Sequence, residues 1–158
     1  MSITSFETKL KKGQVGERVI IERLEKLGCK PQDLTDYSKH KKMQQKGLDF
    51  SFLDRKTGAV LRGDSKANIL FSDENKLGMT FMELTKKNGN EGWFWTSKSD
   101  YIFIYDPNFE RSFFYDLDEM RKIFKEKLSN RTLKVAQLKD GCYGAWLPVD
   151  HYLIKELA

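Results

Sequence analysis

The chain has no apolar run of membrane-spanning length, and its opening residues, Met1-Ser2-Ile3-Thr4-Ser5, carry no signal-peptide pattern. Both a bilayer-crossing segment and export are set aside, and the expected location is the cytoplasm. Cysteine is scarce. Cys29 and Cys142 are too few for a disulfide framework and lack metal-ligand spacing, so they read as ordinary reduced thiols. Histidine is equally scarce: His40 and His151 have no cysteine or acid beside them at ligand spacing, and no zinc site is expected. No repeat, low-complexity tract or linker interrupts the sequence, and 158 residues fit a single domain, 1–158, with a real core.

Charge is plentiful. The charged fraction of 32% beside a hydrophobic fraction of 39% describes a soluble globular protein, and the net charge of +5 suits a polyanionic partner without demanding one. Its distribution says more than its total. Lys39, His40, Lys41, Lys42 and Lys46 fall in a polar stretch with Gln44 and Gln45, which reads either as a solvated loop or as an arm that touches phosphates. Such contacts give affinity and salt dependence but no reading of base sequence.

Hydrophobic spacing lays out the elements. Val15, Val19, Leu24 and Leu27 predict an amphipathic helix from Lys12 to Leu27, with Gly28 as its stop. Gly47 to Leu53 and Ala59 to Lys66 read as two strands, and Met79 to Leu84 as a third beside them. Lys86 to Glu91 is a loop, Tyr101 to Tyr105 a buried central strand, and Ser112 to Tyr115 another strand. Asp116 caps a helix running to about Leu128 with Leu117, Met120, Ile123, Phe124 and Leu128 on one side. A short strand near Trp146 and a helical turn from Asp150 complete an α/β fold, a central mixed β-sheet flanked by helices.

The most informative feature is Asp49, fifteen residues before Asp64-Ser65-Lys66, with the turn-forming Asp54-Arg55-Lys56-Thr57-Gly58 between them. A connector this short makes an antiparallel hairpin. Side chains alternate along a strand, so Asp64 and Lys66 share a face. If Leu53 faces Val60, Asp49 stands opposite Asp64, and facing residues have Cβ atoms roughly 4.5–5.5 Å apart. Two carboxylates that close repel unless a cation lies between them, and Mg²⁺ suits two carboxylates, several waters and a phosphate. Lys66 could orient or deprotonate a water, or offset charge on the phosphate. This is the chemistry of a metal-dependent phosphodiesterase. The plainer alternative is a solvated Asp–Lys pair at a strand edge, which contributes little.

Glu17 in the first helix, Asp49, Asp64-x-Lys66 and the later Trp-x-x-x-Ser-Lys-x-Asp-Tyr segment from Trp93 to Tyr101 resemble the PD-(D/E)XK nuclease superfamily, which includes Holliday-junction resolvases, restriction endonucleases and small phage nucleases. The likeness runs from about Gly13 to Tyr105. Gly78-x-x-x-x-Glu83, Gly92-Trp93 and Asp100-Tyr101 are similar to small phage members. Leu48 stands where the nominal proline falls, and Asp64 where glutamate is commoner, which shortens the reach to a metal by one methylene. The resemblance implies a restriction-endonuclease-like core. It implies that Asp49, Asp64 and the Ser65 backbone carbonyl hold Mg²⁺ or Mn²⁺, that Lys66 is the water-activating or charge-stabilising group, and that Glu17 is an outer acid or serves a second metal. A helix-surface role for Glu17 remains the alternative.

Glu83 could join the acids or end its strand as an exposed charge. Trp93 and Trp95 could stack on unpaired bases, although aromatic residues beside an apolar strand are more often core, the reading favoured for Tyr101. Lys98 could touch phosphate, while Ser97 and Asp100 shape the turn. The function these features imply is a metal-dependent DNA endonuclease, structure-dependent or weakly sequence-specific, in recombination, repair or replication, with a possible homodimer and a bacterial or phage-infected host cell as its setting. The alternatives are a non-catalytic nucleic-acid-binding or interaction module on the same fold, or a restriction-type nuclease.

Overall fold

The computed structural model describes residues 5–33, 48–66, 69–70 and 78–157. Lys39, His40, Lys41, Lys42, Lys46 and Gly47 lie outside the described residues. Helix α1 spans Ser5–Lys26. It ends as a glycine-stopped helix should: Gly28 takes φ 77°, its N–H donates to Glu25 O at 2.9 Å, and the Cys29 N–H reaches back to Leu24 O at 2.9 Å. Its phase differs from the expected stripe. Ile20 and Leu24 are buried, while Val15 and Leu27 are exposed. The reason is Gly16, where an added Cβ would lie 3.1 Å from Tyr105 Cβ, so the helix turns its smallest residue to the sheet and approaches closely.

Strands β1 (Gln32–Asp33), β2 (Phe50–Leu53), β3 (Val60–Lys66), β6 (Tyr101–Asp106), β7 (Arg111–Asp116) and β10 (Lys155–Leu157) form a six-stranded sheet in the order β1-β2-β3-β6-β7-β10. It is mixed, because β3 and β6 run parallel while the other neighbours are antiparallel. Strands β4 (Ile69–Leu70), β5 (Met79–Thr85), β8 (Ala136–Gln137) and β9 (Tyr143–Pro148) form a second, antiparallel sheet in the order β4-β5-β9-β8. The third expected strand is therefore not beside the hairpin: β5 pairs with β9. The helical turn expected from Asp150 is likewise replaced by turns at 149–153 and then β10 on the sheet edge.

The central strand β6 organises the layers by alternation. Tyr101, Phe103 and Tyr105 face α1, where Ile20, Leu24, Phe50, Phe52 and Leu157 gather. Ile102 and Ile104 face the other way, against Met82 and Leu84 of β5, Ala145 and Leu147 of β9, and the helix α3 (Leu117–Ser129). One flank of the mixed sheet is thus a helix, and the other is a second sheet with the short turn α2 (Trp93–Thr96) and α3. Asp116 caps α3 as expected, accepting from the Glu119 N–H at 3.0 Å. Each fully buried Phe or Ile contributes about 1.5–3 kcal/mol. The exposed Arg111–Glu156 pair, at 2.7 Å, adds about 0–1 kcal/mol, so the layered core carries the fold.

Candidate functional site: an acid pair, a lysine and an indole

The hairpin register comes from its turn. Asp54 accepts from the Lys56 N–H and the Thr57 hydroxyl, both at 3.0 Å, and Gly58 supplies φ 73°. The ladder that follows pairs Leu53 with Val60 and Phe50 with Gly63. Phe50–Gly63 is the last regular pair, and just beyond it the Asp49 and Asp64 carboxyls come into contact. The Asp49 N–H donates to Gly63 O at 3.0 Å, and Asp49 Oδ2 accepts from the Ser65 N–H at 2.9 Å. Gly63 is needed here, because a Cβ would lie 2.6 Å from Phe50 Cε2 and 2.9 Å from Phe103 Cε2.

The parallel β3–β6 pairing sets Asp64 beside Ile102 and Lys66 beside Ile104. Both side chains therefore lie on the face turned to the second sheet. That pairing is pinned by Asp100, whose N–H donates to Arg62 O at 2.9 Å while its Oδ2 accepts from the Arg62 N–H at 2.8 Å. The Asp-Tyr pair read from the sequence is a register clamp for the strand that carries Asp64.

The acid pair is electrostatically crowded. Burial pushes the Asp49 carboxyl up to about 9; the hydrogen bond to Asp64, the Asp64 charge and, least, the Glu17 charge act in the same direction, against the Ser65 N–H. Asp64 is 4% exposed. Lys66 Nζ lies 2.9 Å from Asp64 Oδ2, an ion pair, and among the described residues that oxygen has no hydrogen-bond partner. The same ammonium sits 4.6 Å from the centroid of the Trp93 ring.

The structure brings together Asp49, Asp64, Ser65, Lys66 and Trp93, and leaves other candidates at the periphery. Glu17 is half-buried on α1, whose packed face meets the side of the sheet opposite Ile102 and Ile104. It reaches Asp49 as a minor charge. Glu83 lies in the second sheet, where its Oε1 accepts from the Trp93 N–H at 3.2 Å. Among the described residues, no three His, Cys, Asp or Glu side chains are grouped to hold a metal. Trp95 packs partly buried against the core, edge to face with Phe94 at 4.9 Å. Tyr101 does the same with Phe52 and Phe114, each at 6.0 Å. Lys98 is exposed, and Ser97 donates to or accepts from Ser99 inside the turn at 3.1 Å.

Two residues escaped sequence reasoning. Tyr115 pairs with Ile102 on the strand away from Asp64, and its buried hydroxyl has no hydrogen-bond partner among the described residues. Burial, then the Asp64 charge, holds that phenol well above its ordinary value. A tyrosine in an apolar strand signals only core. Arg121 donates from Nε to Phe94 O and from Nη2 to Ser97 O, each at 2.7 Å, tying α2 to α3. Its one hint is a long cation within an amphipathic helix. Elsewhere, both thiols are free, and burial with Asp140 pushes Cys142 up to about 11. His151 serves its own turn, accepting from the Leu153 N–H at 3.2 Å. An apolar groove of about 440 Å³, lined by Leu24, Phe52, Leu61, Tyr101 and Phe114, opens on the α1 side, away from the acid pair. Among the described residues no helix is long and apolar enough to cross a membrane.

No family model and no curated protein matches the chain. Among solved structures, that of a bacterial homing endonuclease aligns with a TM-score of 0.49 at 18% identity, covering 73% of this chain and 72% of that one, a likeness too slight to carry an argument.

Proposed function

We propose that this chain is a divalent-metal-dependent DNA endonuclease built on a PD-(D/E)XK-type, restriction-endonuclease-like core as a single domain. The observation that carries the reading is the contact of the Asp49 and Asp64 carboxyls at the open end of one hairpin, with Lys66 Nζ 2.9 Å from Asp64 Oδ2. A buried Asp64 and a half-buried Asp49 share the site with one ammonium, so the pair becomes net negative only when Asp49 gives up its proton. Among the described residues Asp64 Oδ2 has no hydrogen-bond partner, and burial with the neighbouring Asp64 favours the protonated form of Asp49. That donor set fits a hard divalent cation, with the Ser65 carbonyl as a further oxygen and waters completing the shell. Mg²⁺ or Mn²⁺ bound there supplies Lewis-acid polarisation of a phosphoryl oxygen and makes a nearby water more acidic.

The chain's own residues do the rest. Asp49 and Asp64 bind, and the Ser65 N–H keeps Asp49 turned toward its partner acid. Lys66 brings a positive charge to the place where a phosphodiester gains negative charge, or takes a water's proton. Glu17 acts as an outer acid on waters. Lys39, Lys41, Lys42, Lys46 and Lys98 contact backbone phosphates, which favours cutting by nucleic-acid structure or weak sequence preference. A homodimer would bring two such sites to two strands, and the working compartment is the cytoplasm.

The test is cleavage of labelled branched, duplex and single-stranded DNA with Mg²⁺, Mn²⁺ or EDTA. Native chain is compared with Asp64→Ala and Lys66→Ala at equal folded concentration. Metal-dependent cutting lost in both variants is expected. Binding without cutting on every substrate would move the chain to a non-catalytic nucleic-acid-binding module.

A further inference from the structure

Lys66 is held from two sides. Its ammonium lies 2.9 Å from Asp64 Oδ2 and 4.6 Å from the centroid of the Trp93 ring. A lysine side chain has four rotatable carbons and, with a quarter of it exposed, would otherwise sample many positions. The indole face restricts it, because a cation is attracted to the ring's negative face.

The backbone that carries the ring is itself anchored on both sides. The Trp93 backbone N–H donates to Glu83 Oε1 at 3.2 Å. Gly92 packs directly on the Glu83 backbone, its N–H donates to Leu84 O at 2.9 Å, and a Cβ at that position would overlap the Glu83 carbonyl oxygen. At the far end of α2, Arg121 holds Phe94 O and Ser97 O, while Phe94 stacks on Phe124 with centroids 4.5 Å apart. A four-residue turn with so little structure of its own is thus tied to β5 on one side and to α3 on the other. The outcome of all these contacts is the placement of one aromatic face under one ammonium.

We propose that Trp93 is a positioning residue for Lys66, and that Glu83 and Gly92 act through it by setting the ring. This role rests on the phosphodiesterase reading of Lys66, and it replaces base stacking for Trp93. A ring that carries an ammonium on one face and packs partly buried against the core has little surface left for an unpaired base. The two roles differ in kinetics: a misplaced catalytic group lowers kcat, whereas a lost stacking platform raises KM.

The experiment compares native protein with Trp93→Leu, Trp93→Phe and Lys66→Met, using two readouts. The first is the NMR position of the Lys66 side-chain Cε protons, identified by their loss in Lys66→Met. Native protein should show them shifted upfield by the indole, the shift should vanish in Trp93→Leu, and Trp93→Phe should keep part of it. The second is single-site cleavage kinetics with Mg²⁺. Trp93→Leu should lower kcat by about 10- to 100-fold with KM within about twofold, and Trp93→Phe should fall between it and native. Trp93→Phe conserves the aromatic core and keeps the comparison open should the leucine variant fold poorly. An unshifted Lys66 resonance in native protein overturns the proposal, as does a shift accompanied by raised KM at unchanged kcat. If Lys66→Met cuts as well as native, the reading of Lys66 as a catalytic group fails; the resonance alone then upholds or overturns its placement by Trp93.

Discussion

The carboxyl groups of Asp49 and Asp64 are hydrogen-bonded to each other across the β2–β3 hairpin, and burial with that contact takes Asp49 from its ordinary 3.8 up to about 9. The folded protein therefore holds this proton more tightly than the unfolded chain does. Without metal, the stability this confers is fullest below pH 3.8 and is lost progressively as pH rises from 3.8 toward about 9. In EDTA, Tm should be lower at about pH 8.5 than at about pH 5.5, and Asp49→Asn should flatten that slope. An equal slope in native and variant would remove Asp49 as its source.

The same proton makes metal binding pH-dependent. Loading the acid pair releases it, so apparent affinity for Mg²⁺ rises with pH until the pair is deprotonated, and calorimetry in buffers of different ionisation heat should detect the proton. Affinity independent of pH, with no proton released, would contradict the coupled pair.

Gly63→Ala tests how the pair is spaced. The new Cβ would press on Phe50 and Phe103 at 2.6 and 2.9 Å, and overpacking of this kind costs about 1–3 kcal/mol. Chemical denaturation should show that loss, with Mn²⁺ affinity falling as the hairpin shifts. Native stability in the variant would mean that the two rings move aside freely.

Much of this site is legible in the sequence because it is local. Asp54, Thr57 and Gly58 specify a tight turn, the turn fixes the register from Leu53–Val60 to Phe50–Gly63, and the Asp49 and Asp64 carboxyls meet just beyond it. The helix α3 is legible for the same reason, from its Asp116 cap and the spacing of Leu117, Met120 and Phe124. The position of β5 is not, since alternating residues look alike in either sheet and its partner β9 is distant in sequence. Gly16 explains the misphased α1: a close helix–sheet contact outweighed the exposed Val15 and Leu27. At three residues, Lys155–Leu157 is too short for β-propensity to register, and it is a strand because β7 offers an open edge. The roles of Glu83, Gly92 and Arg121 depend on contacts between elements, which no spacing along the chain encodes.

Tyr115→Phe isolates the buried phenol. Its hydroxyl has no partner among the described atoms, so removing it should leave stability unchanged or raise it by up to about 1 kcal/mol. A loss larger than that would show that the hydroxyl is satisfied in solution, by an ordered water for example.

Asp100→Ala removes the acceptor for the Arg62 N–H that clamps β3 to β6. A lost hydrogen bond of this kind costs about 0.5–1.5 kcal/mol, and Asp100→Asn, which retains an acceptor oxygen, should recover most of it. Equal losses in the two variants would assign the effect to charge rather than to register.

The central claim is that Asp49 and Asp64 together form a divalent-cation site, and Mn²⁺ titration followed by electron paramagnetic resonance tests it most directly. The native chain should immobilise Mn²⁺, Asp49→Asn and Asp64→Asn should each lose that signal while remaining folded, and Lys66→Met should keep it. Immobilised Mn²⁺ of native affinity in both acid variants would contradict the account.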